Sequence, residues 1–445
     1  MSLTSGLKRF SRWRQAPLLL LGGVSVFSLA ARAWRIGTPG DPSGGLIFDE
    51  KYYVNAARVL LHLPVPCPGG HCDPYASMTP GIDPTSEHPP LGKLLIAAGM
   101  KLYGDNPFGW RFFPVVFGTL AILAIYWLVR TAGGGSWLAV GAASLMATDN
   151  LLLVHGRIAT LDIFVVTFML VGVALYLRGH PILAGVTLGL GACVKLVAPQ
   201  ALIALLLLEL GRFAVNREWR GPSAWGALSR RLLPFVVCLG VATAVFAVSL
   251  TALDLAVRPF HNPKDICPGS SSSFANFYVH SRFMLCYATK LTSPNGPVGI
   301  ASYPWQWLIN QGSINYFTTN VNVSSAGKVI ASHTVIAFRG EMNPAIILLA
   351  LPALAIAVDT AIRDRDDLSI LAVAWFGATY LPFLEVSLVQ HRTSYLYYMV
   401  VVLPAVYIAV AQMLSRRWLP RAVLLGYIPI LGYEFLALYP FRTLT

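Results

Sequence analysis

Roughly eleven apolar stretches, candidates for the roughly 20-residue helices that cross a bilayer, divide this 445-residue chain. The clearest cover residues 16–33, 108–129, 161–177, 200–213, 232–257, 344–358, 368–389, 395–414 and 419–438, with two weaker ones at 137–148 and 182–197. In hydrocarbon a spanning segment must satisfy its own backbone polar groups, so apolar runs of this length predict helices and an all-α integral membrane protein. Composition agrees: 56% of residues are hydrophobic, 12% are charged and mean hydropathy is +0.61. The charged share is about half that of an ordinary globular domain. The first span runs on to Arg32 and Arg35 without a small-residue cleavage site, so it reads as an anchor and not as a removable signal.

Charge placement predicts orientation. With Lys8, Arg9, Arg12 and Arg14 in the cytoplasm, Arg130, Arg178, Arg212, Arg217, Arg220, Arg230, Arg231, Arg363, Arg365, Arg416, Arg417 and Arg421 fall on the same side. Two long segments, 35–106 and 258–343, then face outward. The expectation is one multi-pass domain in the cell membrane: residues 1–265 form a catalytic transmembrane core that includes the first outward loop (35–106). Residues 266–445 carry the second outward loop (258–343) and the C-terminal spans. The net charge of +13 is thus a topology signal, and no basic run interleaved with aromatics points to nucleic acid.

Four cysteines, Cys67, Cys72, Cys267 and Cys286, lie in the outward loops, whereas Cys193 and Cys238 lie in spans. An even set outside the membrane suggests disulfides, and Cys67 with Cys72 and Cys267 with Cys286 are the shortest closures. A metal clip using His71 is the alternative at the first pair. A tetrahedral zinc site wants four ligands, however, and the local sequence supplies three.

The first outward loop carries an acidic pair, Asp49-Glu50, next to the membrane. After it Lys51, Asn55, Arg58 and His62 recur at i, i+4, i+7 and i+11, with Val54, Ala57 and Leu61 on another face. Pro89-Pro90 opens a second helix lined by Leu91, Leu94, Leu95, Ala98 and Leu102. Both are expected to lie on the outer membrane surface. Residues 63–87 between them, rich in Pro, Gly, Ser and Asp, read as loop, as does the run from Ser270 to Ser273.

Five motifs occur in a telling order: Phe48-Asp49-Glu50-Lys51-Tyr52-Tyr53, Glu87-His88-Pro89-Pro90-Leu91-Gly92-Lys93, the stretch from Asp149 to Asp162 (DNLLLVHGRIATLD), Ser302-Tyr303-Pro304-Trp305-Gln306-Trp307, and Arg392-Thr393-Ser394-Tyr395-Leu396-Tyr397-Tyr398. In content and spacing they resemble the protein O-mannosyltransferase family, of bacterial type. That resemblance implies the GT-C fold of the type-C glycosyltransferases, multi-span enzymes that use polyprenyl-phosphate sugars on the outer face of the membrane. The chain is short for the family, and its Cys-Pro-Gly-Gly-His-Cys insert is unusual.

The residues suit that chemistry. An acceptor hydroxyl attacking an anomeric carbon loses its proton as the bond forms, so a carboxylate must take it up. Asp49 is the expected general base, with Glu50 as helper, acceptor ligand or metal ligand. The competing use of Asp49 is to cap the helix that starts at Glu50. A leaving lipid phosphate needs cations, and Arg157, Lys195 and Arg392 each fall near an outer span end. Asp162 is expected to support Arg157. His88, Lys93, Tyr52 and Trp305 are candidate acceptor or sugar contacts, although Trp305 and Trp307 also fit interfacial anchors and His-Pro-Pro also fits a turn.

The expected function is transfer of mannose, or another hexose, from a polyprenyl-phosphate carrier to Ser or Thr hydroxyls of exported proteins, with inversion. A lipid or cell-envelope glycan acceptor, as in the aminoarabinose transferases, is the alternative. A transporter is disfavoured, because interrupted spans in matching halves are not evident. No Gly-rich phosphate loop or nucleotide fingerprint occurs, which favours a lipid-linked donor. The sequence requires no cofactor and leaves a divalent metal open.

Overall fold

The computed structural model describes residues 15–38, 45–67, 73–221, 223–260, 267, 276–325 and 328–440. Its helices, in chain order, are α1 (Ala16–Ala33), α2 (Glu50–Leu60), α3 (Leu91–Tyr103), α4 (Pro107–Thr131), α5 (Ser136–Ala147), α6 (Asn150–His155), α7 (Asp162–Leu177), α8 (Pro181–Ala192), α9 (Gln200–Val215), α10 (Ala224–Val257), α11 (Phe277–Lys290), α12 (Pro304–Leu308), α13 (Pro344–Ile347), α14 (Ala350–Arg363), α15 (Asp367–Val389), α16 (Met399–Leu414) and α17 (Arg421–Leu438). One hairpin, β1 (Ile314–Ser325) with β2 (Lys328–Gly340), and two short 3-10 turns, Glu218–Arg220 and Leu396–Tyr398, complete the regular structure of the described residues.

Each of the apolar segments expected to span falls on a helix. Among the described residues seven helical stretches are long and apolar enough to cross a membrane, and α5, α7 and α8 are shorter apolar helices. The remaining expected span, α9, carries Glu209 and Arg212. Burial sorts them: 83% of the stretch Leu396–Leu414 is buried against 11% of Arg421–Leu438, so α16 is the centre of the bundle and α17 lies at its edge. Gly185 and Gly189 let α8 meet α10 backbone to backbone. A Cβ at either would come within 2.6 or 2.7 Å of the carbonyls of Cys238 and Ala242, the close approach that small residues four apart permit in membranes.

The two amphipathic helices form where expected, α2 and α3, but only the ends of the polar stripe, Lys51 and His62, are exposed, and its middle is not turned to solvent. Asn55 and Arg58 are buried, and Arg58 is clamped by Asp105 at 2.9 Å and by Asn55 Oδ1 at 2.8 Å. α2 is therefore held inside protein and does not lie on a free membrane surface.

The segment 258–343 also differs from expectation. It contains an antiparallel hairpin, paired from Ile314 with Gly340 to Ser325 with Lys328. The segment fastens the turn that carries Arg392. Thr292 and Ala301 bridge to Arg392 and Tyr395, and Thr393 N–H donates to Leu291 O at 2.9 Å. Asn343 returns the chain to the bundle by capping α13 and donating from Nδ2 to Thr148 O at 3.0 Å, while its N–H donates to Asp149 at 3.1 Å.

Cys267 and Cys286 form a disulfide, with Cα atoms 6.0 Å apart. Cys67 is disulfide-bonded; Cys72, its expected partner, and His71 lie outside the described residues, as do Ser270 to Ser273. Cys193 and Cys238 are free thiols, buried in the bundle.

Candidate active site

A cavity of about 1030 Å³ opens between α2, the loop before α3, the start of α7 and the turn at Arg392. Asp49, Tyr52, His88, Asp162, Lys195 and Arg392, all singled out in the sequence, line it together.

Local structure presents Asp49 to this space. Phe48 adopts a left-handed backbone (φ 55), its N–H donates to Tyr316 O at 3.2 Å and its ring stacks on Tyr316 at 4.2 Å. Such strain in a bulky residue persists only where the surroundings hold it. Asp49 occupies the N-cap position of α2 but accepts no capping hydrogen bond, and among the described residues its carboxylate has no ion-pair partner. The capping use of Asp49 is therefore not realised. Burial pushes its carboxyl up to about 7, Lys195 is the largest opposing influence, and Asp162 adds to the rise.

Glu50, the next residue, does something else. It is fully buried and held by Arg111 at both oxygens (2.8 and 2.7 Å), and it accepts from the backbone N–H of Ile47 and Ala159 at 2.8 and 2.9 Å. It lies behind the cavity wall and fastens α2 to α4 and to the start of α7.

The three expected phosphate cations separate. Lys195 and Arg392 face the cavity. Lys195 pairs with Asp162 at 2.7 Å and lies over the Tyr397 ring at 5.4 Å. Arg392 donates to the carbonyls of Ala288 and Thr393 and to Tyr398 Oη at 2.9 Å. Arg157 is buried outside the cavity lining: it donates to Trp34 O at 2.8 Å and stacks over Phe338 at 5.3 Å. Asp162 accordingly orients Lys195, not Arg157.

His88 is in the cavity, and burial beside Lys195 and Lys93 drives its imidazole well below the ordinary histidine range, so it is neutral. Lys93 does not reach the cavity. It is buried, paired with Asp83, and donates to the carbonyls of Thr85 and His88 at 2.7 and 2.9 Å, which shapes the His88 loop. Trp305 is 41% exposed and stacked on Tyr303 at 4.2 Å, away from the cavity; its neighbour Trp307 is buried and donates to Ser302 Oγ.

Residues not singled out also contribute. His155 accepts or donates at Nε2 with Tyr316 Oη (2.8 Å) and meets Asp162 at Nδ1 (3.4 Å), linking the hairpin base to Lys195. Tyr395, Tyr397 and Tyr398 make an aromatic wall. His155 and these tyrosines lie in the quoted motifs, whereas Arg111 and Tyr316 carry no local signal. Among the described residues no group of three or more His, Cys, Asp or Glu side chains converges as metal ligands would.

Comparison with known proteins speaks to the family and the fold. The family described as dolichyl-phosphate-mannose-protein mannosyltransferase matches residues 103–253. The polyprenol-phosphate-mannose–protein mannosyltransferases of Mycolicibacterium smegmatis and Corynebacterium glutamicum are each 25% identical, over 94% and 92% of this chain and 88% and 84% of their own lengths. Among solved structures, the Saccharomyces cerevisiae Pmt1-Pmt2 complex bound to its sugar donor superposes with a TM-score of 0.65 at 13% identity, covering 95% of this chain and 90% of that one. ArnT from Cupriavidus metallidurans, bound to undecaprenyl phosphate, gives 0.55 at 16% identity over 94% and 63%. The chain thus resembles the bacterial protein O-mannosyltransferases over nearly its whole length, and its fold is that of the type-C glycosyltransferases.

Proposed function

We propose that this chain moves a mannosyl residue from a polyprenyl-phosphate carrier to Ser or Thr hydroxyls of exported proteins, with Asp49 as general base. One observation carries the reading: an uncommitted carboxylate of raised pKa shares a single cavity with Lys195 and Arg392. The names of the relatives supply the donor and the acceptor class.

In the reaction the acceptor oxygen attacks the anomeric carbon from the face opposite the phosphate. The new C–O bond forms as the carbon–phosphate-oxygen bond breaks, so configuration inverts. Asp49 accepts the hydroxyl proton. The polyprenyl phosphate departs with the bonding electron pair, and Lys195 and Arg392 offset its charge in a setting of low dielectric. Asp162 and His155 position Lys195, and neutral His88 with Tyr52 is available to hydroxyl groups of the sugar or acceptor. Glu50, Lys93 and Arg157 hold the walls.

The active site faces outward in this reading, with the N-terminus cytoplasmic. Reconstitution tests the chemistry: purified protein, polyprenyl-phosphate mannose and a Thr-containing peptide should yield the inverted glycosyl-threonine, assigned by NMR. Transfer to envelope glycans and not to peptides would move the acceptor assignment. Cys67 and the Cys267–Cys286 bridge should react with a membrane-impermeant thiol reagent on intact cells only after reduction; labelling of Cys67 from the cytoplasm alone would reverse the topology.

A further inference from the structure

The hairpin β1–β2 is anchored at one end and open at the other. At its base Ile314, Tyr316, Ala337 and Phe338 are buried, whereas residues 328–334 on β2 are all exposed. It is a two-stranded sheet, so β1 has one edge facing away from β2. Among the described residues that edge is occupied at one place, Tyr316 O, which accepts the N–H of Phe48. From 317 to 325 no backbone hydrogen bond joins β1 to any segment but β2 among the described residues. Unpaired strand edges are templates for another extended chain, and proteins normally blunt them with charge or proline. Residues 314–325 contain neither.

The position of the edge matters. Asn315 and Tyr316 line the cavity, and Phe48, which takes the first place along the edge, immediately precedes Asp49. The edge therefore leads to the general base. Its outer part, Thr318, Thr319, Asn320, Val321, Asn322 and Val323, presents small uncharged side chains that suit recognition through main-chain hydrogen bonds, which tolerates varied sequence. Nine residues of strand guide about 30 Å of extended chain.

We propose that the free edge of β1 is the docking rail for the acceptor: an extended segment of the acceptor polypeptide adds to it as a third strand and delivers its hydroxyl-bearing residue to Asp49. The proposal rests on the protein-acceptor reading given above. Strand pairing uses the N–H of every second residue, so it leaves a signature no side-chain recognition produces.

The test is a backbone N-methyl scan of a twelve-residue peptide with one Thr, given to the purified full chain with polyprenyl-phosphate mannose. KM should rise about five-fold or more at alternate residues on one side of the Thr and little at those between, one lost hydrogen bond at a time. A chain whose hairpin is shortened by replacing residues 320–334 with Asn-Gly should lose the alternation and bind the long peptide no better than a three-residue acceptor, while turnover of the three-residue acceptor stays unchanged. A flat scan on the intact chain, with transfer to the Thr still occurring, overturns the rail alone. Absence of transfer to any peptide, the three-residue acceptor included, overturns the acceptor reading and the rail with it. The scan uses the unaltered chain, so its result holds whether or not the shortened variant folds.

Discussion

The two ends of α7 lie in two charged clusters of opposite character. Its first residue, Asp162, lines the cavity shared with Asp49; its last turn, at Tyr176 and Leu177, lines a second cavity of about 590 Å³ with Glu209, Arg212, Glu218, Arg230 and Arg231. In the second cluster each carboxylate is matched. Arg212 binds Glu209 and Asp367 at 2.8 Å, and Arg231 binds Glu218 and lies 3.6 Å from Glu209. In the first, Lys195 and Asp162 are matched, but Asp49 is left over, with its carboxyl raised to about 7. A matched cluster holds helices together. An unmatched carboxylate of raised pKa in a cleft adds nothing to that holding role and is a candidate for chemistry.

The largest test of that contrast is Asp49→Asn. It keeps size and removes the base, so transfer should fall by roughly 10² to 10⁴ fold in purified enzyme. Detergent Tm should hold or rise above pH 7, because ionising a carboxyl whose folded pKa is raised costs the fold stability as pH increases through that value. Near-normal turnover would remove Asp49 from the mechanism.

Glu50→Ala should behave in the opposite way. Leaving Arg111 buried without its carboxylate costs about 3–5 kcal/mol, so yield and Tm should drop sharply. A stable Glu50→Ala protein lacking only turnover would instead bring Glu50 into the chemistry.

Next comes Lys195→Gln. Loss of charge-assisted bonds should raise the KM for donor by about 10-fold or more. The base works only when ionised, so kcat/KM should climb with pH through about 7 in the parent enzyme. Removing the neighbouring cation favours the neutral carboxyl, and the limb should move to higher pH. An unmoved limb would mean that another group sets it.

The smallest effect belongs to the second cluster. Arg231→Ala removes a partly exposed pair and should cost no more than about 1 kcal/mol of stability, with turnover unchanged. A large loss of transfer there would break the division between a working end and a holding end.

The sequence by itself determined the membrane class, the places of the helices and the acidic pair with its motifs, because apolar length and short spacing are local properties. Six of the ten side chains it singled out for the site line the cavity: Asp49, Tyr52, His88, Asp162, Lys195 and Arg392. What only the tertiary structure decided is which of two adjacent acids lines the cavity. One step along α2 turns a side chain by about 100°, and Glu50 is taken by Arg111, 61 residues away. Distance along the chain likewise hid the pairing of Asp162 with Lys195 in place of Arg157, and the reach of Tyr316 to His155 across 161 residues. The hairpin had no clean alternation of apolar and polar residues to announce it, because most of it projects from the bundle and only its base is buried.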